Sequence, residues 1–86
     1  MKSFTYIIRS DFAMDFGPAG RLAELARVYP DTTAIVEMGT RSANISRPMK
    51  VVTMGIRKGD VVTVYADGPS ETELIDVLYQ YFEDAM

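Results

Sequence analysis

Phe4, Tyr6 and Ile8 alternate with Thr5, Ile7 and Arg9, the period-2 pattern of a strand that turns one face to a core. After the break at Asp11–Gly17 the period lengthens. Leu22, Leu25, Ala26 and Tyr29 recur at helical spacing from Pro18 to Tyr29, with Arg21, Glu24 and Arg27 on the opposite face. Pro30 cannot continue that helix and biases Tyr29 away from helical geometry. Ala34, Val36 and Met38 then alternate with Thr33, Ile35 and Glu37, and Gly39-Thr40 forms a tight turn into Arg41–Ile45, which places Ala43 and Ile45 on the core side of a hairpin. Ser46-Arg47-Pro48 reads as a helix start, with Ser46 as N-cap and Pro48 in the first turn of a short helix over Met49–Met54. Val62, Val64 and Ala66 alternate with Val61, Thr63 and Tyr65 as a fourth strand. Asp67-Gly68-Pro69 turns the chain, and Ser70 with Glu73 makes a capping box for a terminal helix that carries Leu74, Ile75, Leu78 and Phe82.

The order is βαββαβα. Four strands with one apolar face each and three helices imply an α+β open-faced sandwich, a four-stranded antiparallel sheet with all helices on one side. The chain has 86 residues, no internal repeat and no linker, which predicts one domain over residues 1–86.

Composition removes whole classes of chemistry. There is no histidine and no cysteine, so imidazole and thiolate catalysis, disulfides and thiolate metal sites are excluded, and zinc loses its usual ligands. The net charge of −3, with nine Lys and Arg spread along the chain, argues against nucleic acid as a partner. No apolar run reaches the ~18 residues that span a bilayer, and Met1-Lys2-Ser3-Phe4 does not open a signal-type stretch, so a cytoplasmic protein without membrane insertion is expected. The glycines fall in turns and spell no phosphate loop, and no cofactor or metal is implied.

The ordered motifs resemble HPr, the histidine-containing phosphocarrier family of the bacterial phosphoenolpyruvate:sugar phosphotransferase system, over essentially the whole chain. Met14-Asp15-Phe16-Gly17-Pro18-Ala19 stands where the family carries Gly-Leu-His-x-Arg-Pro-Ala. Ser42-Ala43-Asn44-Ile45 is similar to its third strand, Met49–Ile56 to its second helix and following loop, and Lys58–Val64 to its fourth strand. The resemblance implies the HPr-like fold and sugar-transport partners. It also puts Asp15 at the phosphoryl-accepting histidine, Gly17 at the arginine that helps hold the phosphoryl group, and Arg47, or Ser46 with a one-residue shift, at the regulatory serine.

Three readings of Asp15 stand side by side: a helix N-cap, a fixed charge that imitates the phosphorylated state, and an aspartyl-phosphate acceptor. Asp11 and Asp15 together are also candidates to hold a hard cation. Phe12, Met14, Phe16, Pro48, Met49 and Val52 are either core or docking surface. Val51 and Met54 should point inward, which turns Met49 and Val52 to another face, so that with Phe16 they make an exposed apolar patch flanked by Arg21 and Arg47. The resemblance adds Gly20 to this surface. The expected function is a non-enzymatic, protein-binding or regulatory member of the phosphotransferase system, with system enzymes or a transcriptional regulator as partners. The alternatives are a carrier that uses Asp15 and a structural or oligomerising module outside sugar transport.

Overall fold

The computed structural model describes residues 1–11 and 14–86; Phe12 of the anticipated patch lies outside them. The elements are β1 (Lys2–Ile7), α1 (Phe16–Arg27), β2 (Thr33–Met38), β3 (Arg41–Asn44), α2 (Pro48–Thr53), β4 (Val61–Asp67) and α3 (Glu71–Ala85). The strands form one antiparallel sheet in the order β1-β4-β2-β3. Two βαβ crossovers therefore interleave: α1 carries the chain from β1 across β4 to β2, and α2 carries it from β3 across β2 to β4.

Alternation sets the two faces of the sheet. Tyr6, Ala34, Val36, Ala43, Val62, Val64 and Ala66 are buried, whereas Ile7, Ile35 and Val61 on the other face are exposed. The cross-strand row Phe4–Val64–Val36–Ala43 shows the register that keeps this face continuous. Ala19, Leu22, Ala23 and Ala26 of α1, Val51 of α2, and Leu74, Ile75, Leu78 and Phe82 of α3 close over it, joined by Met54 and Ile56. Phe82 is fully buried, with the rings of Phe4 and Tyr6 edge-on at 5.4 and 5.5 Å. The expected open-faced sandwich is thus the observed fold.

Helix α1 begins at Phe16, two residues before the position anticipated from Pro18. Asp15 caps the helix, and a proline in the first turn lacks only an amide that has no partner inside the helix. The two-residue turn between Met38 and Arg41 has Gly39 at φ +62° and no positive φ at Thr40, the pattern of a type II′ hairpin.

Two expected caps are corrected. Arg47, not Ser46, is the N-cap position of α2, and it makes no side-chain cap bond. The Ser46 hydroxyl donates instead to Asn44 Oδ1 at 2.7 Å. Ser70 does occupy the N-cap of α3, but its side chain does not cap and no Ser70–Glu73 box forms. Its hydroxyl donates to Asp31 Oδ2 at 3.3 Å, its amide donates to Thr32 Oγ1 at 2.9 Å, and Glu71 rather than Glu73 reaches back, accepting the Gly68 amide at 3.2 Å. At Ser70 partners on another segment outcompete the local bond that the sequence pattern implies, and at Ser46 the side chain of Asn44, two residues back, takes the hydroxyl instead.

Candidate functional site

Asp15 stands at the start of α1 in extended geometry, φ −103° and ψ −168°. Its Oδ1 accepts the Gly17 amide at 3.1 Å and its carbonyl accepts the Ala19 amide at 3.0 Å. This is the N-cap arrangement: a carboxylate satisfies one of the free amides of the first turn and meets the positive end of the helix dipole. Asp15, Phe16 and Gly17 are exposed, while Met14 just before them is buried in the core. One buried methionine thus anchors a segment whose next three residues, with the side chains of Asp15 and Phe16, face solvent.

The chain that leads into this segment is fixed from two sides. Ile8 exchanges backbone bonds with the loop after α2, donating to Asp60 and accepting from Gly59, and Lys58 Nζ lies 3.4 Å from Asp11 Oδ1. On the other side the Arg9 and Ser10 amides donate to the Met86 carbonyl oxygen at 2.5 and 2.8 Å. The Arg9 guanidinium donates to the Tyr6 hydroxyl, to the Glu83 carbonyl at 3.0 Å and to Glu83 Oε2 at 3.2 Å, and the Tyr6 hydroxyl donates to the same carboxylate at 2.9 Å. Burial first, then the Glu83 carboxylate, raises the Tyr6 phenol above its ordinary pKa. Apart from Arg9 and Tyr6, three residues apart, these partners follow no local sequence pattern, because they join the end of β1 and the residues after it to the far end of α3 and to the loop after α2.

The two carboxylates anticipated as a cation pair, Asp11 and Asp15, each have a partner of their own. Asp11 faces Lys58, and Asp15 is engaged by the Gly17 amide.

The second part of the anticipated surface comes from α2. Arg47 and Met49 are exposed and Pro48 is half-buried, while Val51 and Met54 point inward as the helical spacing requires. Val52 corrects the expectation. It is half-buried and packs against the core, so the large exposed apolar side chains of this region are Phe16, 62 % exposed, and Met49, 60 % exposed. Helices α1 and α2 pack on one another, which holds the two segments on adjoining elements. Gly20 is half-buried on α1, and a Cβ built there meets no atom within 4 Å.

Arg21 is exposed and pairs with Glu24 one turn on, 3.1 Å between Nη1 and Oε2. With Leu25, Val77, Gln80, Tyr81 and Asp84 it lines a shallow hollow of about 270 Å³ between α1 and α3. Tyr81 is a member of this region that the sequence reading missed. Burial pushes its phenol pKa up, Arg21 pulls it down, and the Asp15 charge raises it. Its place in the apolar repeat of α3 is the one sequence signal it gives, and that signal reads as core.

The comparisons with known proteins follow the same outline. A family profile described as "PTS HPr component phosphorylation site" matches residues 2–84. A relative named Phosphocarrier protein HPr, from Mycoplasma genitalium, is 29 % identical over 75 residues, covering 87 % of this chain and 85 % of its own. Among solved structures, HPr-C-His from Thermoanaerobacter tengcongensis superposes with a TM-score of 0.91 at 26 % identity, over 99 % of this chain and 94 % of that one. A mycoplasma histidine-containing phosphocarrier protein superposes with a TM-score of 0.91 at 25 % identity, over 96 % and 93 %.

Proposed function

The chain belongs to the HPr family of the phosphotransferase system, and from that membership we propose that it is a docking member of the system that carries no phosphoryl group on histidine. The observation that carries this reading is the Asp15 cap. At the helix start where motif alignment places the family's histidine, a carboxylate holds the Gly17 amide at 3.1 Å, and the chain contains no histidine to take over its role. Gly17, at the position of the family's arginine, offers no side chain to clamp a phosphoryl group. A carboxylate there also repels the incoming phosphoryl donor. What persists around it is surface: Phe16 and Met49 stand exposed on α1 and α2, elements that also carry Gly20, Arg21 (paired with Glu24) and Pro48, with Arg47 at the start of α2, an apolar centre suited to protein recognition. Neither Arg47 nor Ser46 keeps the role of a regulatory serine in this reading. Arg47 has no hydroxyl, and the Ser46 hydroxyl is bonded to Asn44. The protein acts by occupying the docking site of a phosphotransferase-system enzyme or of a transcriptional regulator.

Two measurements test it. Incubation with phosphoenolpyruvate, Enzyme I and magnesium, followed by intact-mass analysis, is expected to show no gain of a phosphoryl group. A hydroxylamine-labile adduct that is absent from Asp15→Asn would instead make Asp15 an aspartyl-phosphate acceptor and overturn the reading. Calorimetric titration of Enzyme I is expected to give binding that Phe16→Ser or Met49→Ser weakens by roughly tenfold, the cost of removing one central apolar anchor. Equal affinity for wild type and both variants would remove this patch from the docking surface.

A further inference from the structure

Away from Asp15, the edge strand β3 and the last turn of α2 enclose a hollow of about 390 Å³ lined by Thr40, Arg41, Ser42, Lys50, Thr53 and Met54. We infer that this hollow is a binding site for a phosphate group carried by a small molecule.

Four observations support the assignment. The first is charge. From Met38 to Gly59 the chain carries Arg41, Arg47, Lys50, Arg57 and Lys58 and not one carboxylate, although the whole chain is acidic. The lining itself holds two cations and no acid. The second is that these cations are uncommitted to carboxylates. Among the described residues the side-chain cations in ion pairs are Arg9, Arg21 and Lys58, so neither Arg41 nor Lys50 is neutralised.

The third observation is that Arg41 is already oriented. On β3 it alternates with Ser42, which puts its side chain on the helix-bearing side of the sheet, and its Nη1 donates to the Met54 carbonyl at 3.0 Å. One end of the guanidinium is thereby fixed and the remaining N–H groups keep the planar fork that matches phosphate oxygens. The fourth is the distribution of hydroxyls. Thr40 supplies a further hydroxyl at the rim, while Thr53 Oγ1 donates to the Lys50 carbonyl at 2.8 Å and so ties the last turn of α2 that carries Lys50. A dianionic phosphate placed there meets two full positive charges and the Thr40 hydroxyl. A monoanionic carboxylate would use only part of that complement.

The test is a titration of the ¹⁵N-labelled full chain, followed by ¹H–¹⁵N correlation spectra, with glycerol 3-phosphate, with inorganic phosphate, and with potassium chloride at matched ionic strength. Both phosphates are expected to give saturable shifts centred on the amides of Thr40, Arg41, Ser42, Thr53 and Met54. Tighter binding of the ester shows that the organic part is read, and equal binding shows that the phosphate group alone is read. Lys50→Gln, and Arg41→Gln with Lys50→Gln, are expected to weaken binding at least tenfold in the double variant. Shifts that chloride reproduces, shifts centred elsewhere, or a double variant that keeps a native spectrum and titrates like wild type would overturn the assignment.

Discussion

Asp15 is a single side chain asked to do two things, cap a helix and mark a site, and substitution separates them. Asp15→Ala removes the acceptor for the Gly17 amide and should cost about 1 kcal/mol, lowering the melting temperature by roughly 4–8 °C for a domain of this size. Asp15→Asn retains a cap and removes the charge, so thermal denaturation should place it within about 0.5 kcal/mol of wild type. The Tyr6 phenol gives a pH-dependent counterpart. Its pKa is raised above the ordinary 10.0 by burial and by Glu83. The folded state therefore holds a proton that the unfolded chain releases first. The associated stability is whole below the unfolded value and is lost as the pH climbs through the raised folded value. Urea midpoints measured from pH 8 to 11 should fall more steeply for wild type than for Tyr6→Phe.

At the scale of elements, two glycines with opposite surroundings make paired predictions. Gly68, between β4 and α3, has φ +147°, and a Cβ there would lie 2.6 Å from the Asp31 carbonyl oxygen and 2.7 Å from Thr32 Cα. Gly68→Ala therefore combines backbone strain with a clash against main chain that cannot rotate away, and should destabilise by about 2–3 kcal/mol. Gly20 sits inside α1 with open space where a Cβ would go, so Gly20→Ala should stabilise by about 0.5–1 kcal/mol in chemical denaturation.

The same scale shows what the sequence made legible. Val62, Val64 and Ala66 were readable as core because burial follows the pleat. Val51 and Met54 were readable because burial follows the helical turn. Ser46 and Ser70 were misread as side-chain caps because their hydroxyls bond to Asn44 and to Asp31, and the second of these is 39 positions away. The Asp15 cap was legible since both partners lie within one turn. The Arg9–Tyr6–Glu83 group and the Lys58–Asp11 pair that fix the approach to Asp15 were not, since tertiary folding alone brings Glu83 to Tyr6 and Arg9, and Lys58 to Asp11. Charge segregation is legible in the sequence as well. The nine cations look scattered when counted along the chain, yet five fall between residues 38 and 59 and none from 60 onward.

Across the whole molecule this separation has a direction. The cation-rich segment forms β3 and α2 at one edge of the sandwich. The last 27 residues, which hold seven carboxylates and no cation, include α3, packed over β1 and β4 toward the other edge. Helix α1 lies between, in contact with both of the other helices, and its Asp15 end is approached by a segment tied to α3 through Glu83 and to the loop after α2 through Lys58. Packing at the centre of α3 therefore supports the site as well as the fold. Phe82 is the test, being fully buried beneath Phe4 and Tyr6 one residue before Glu83. Phe82→Ala should cost about 3–5 kcal/mol, against a total stability of roughly 4–13 kcal/mol for a chain of this length. The urea midpoint should fall by a large fraction at unchanged slope. Amide exchange under native conditions should accelerate at Arg9 and Ser10, whose partner is the Met86 carbonyl, before it accelerates in the β2–β3 hairpin, which draws its contacts from the opposite edge. Uniform acceleration of both regions would show that α3 does not support the approach to Asp15 separately from the rest of the fold.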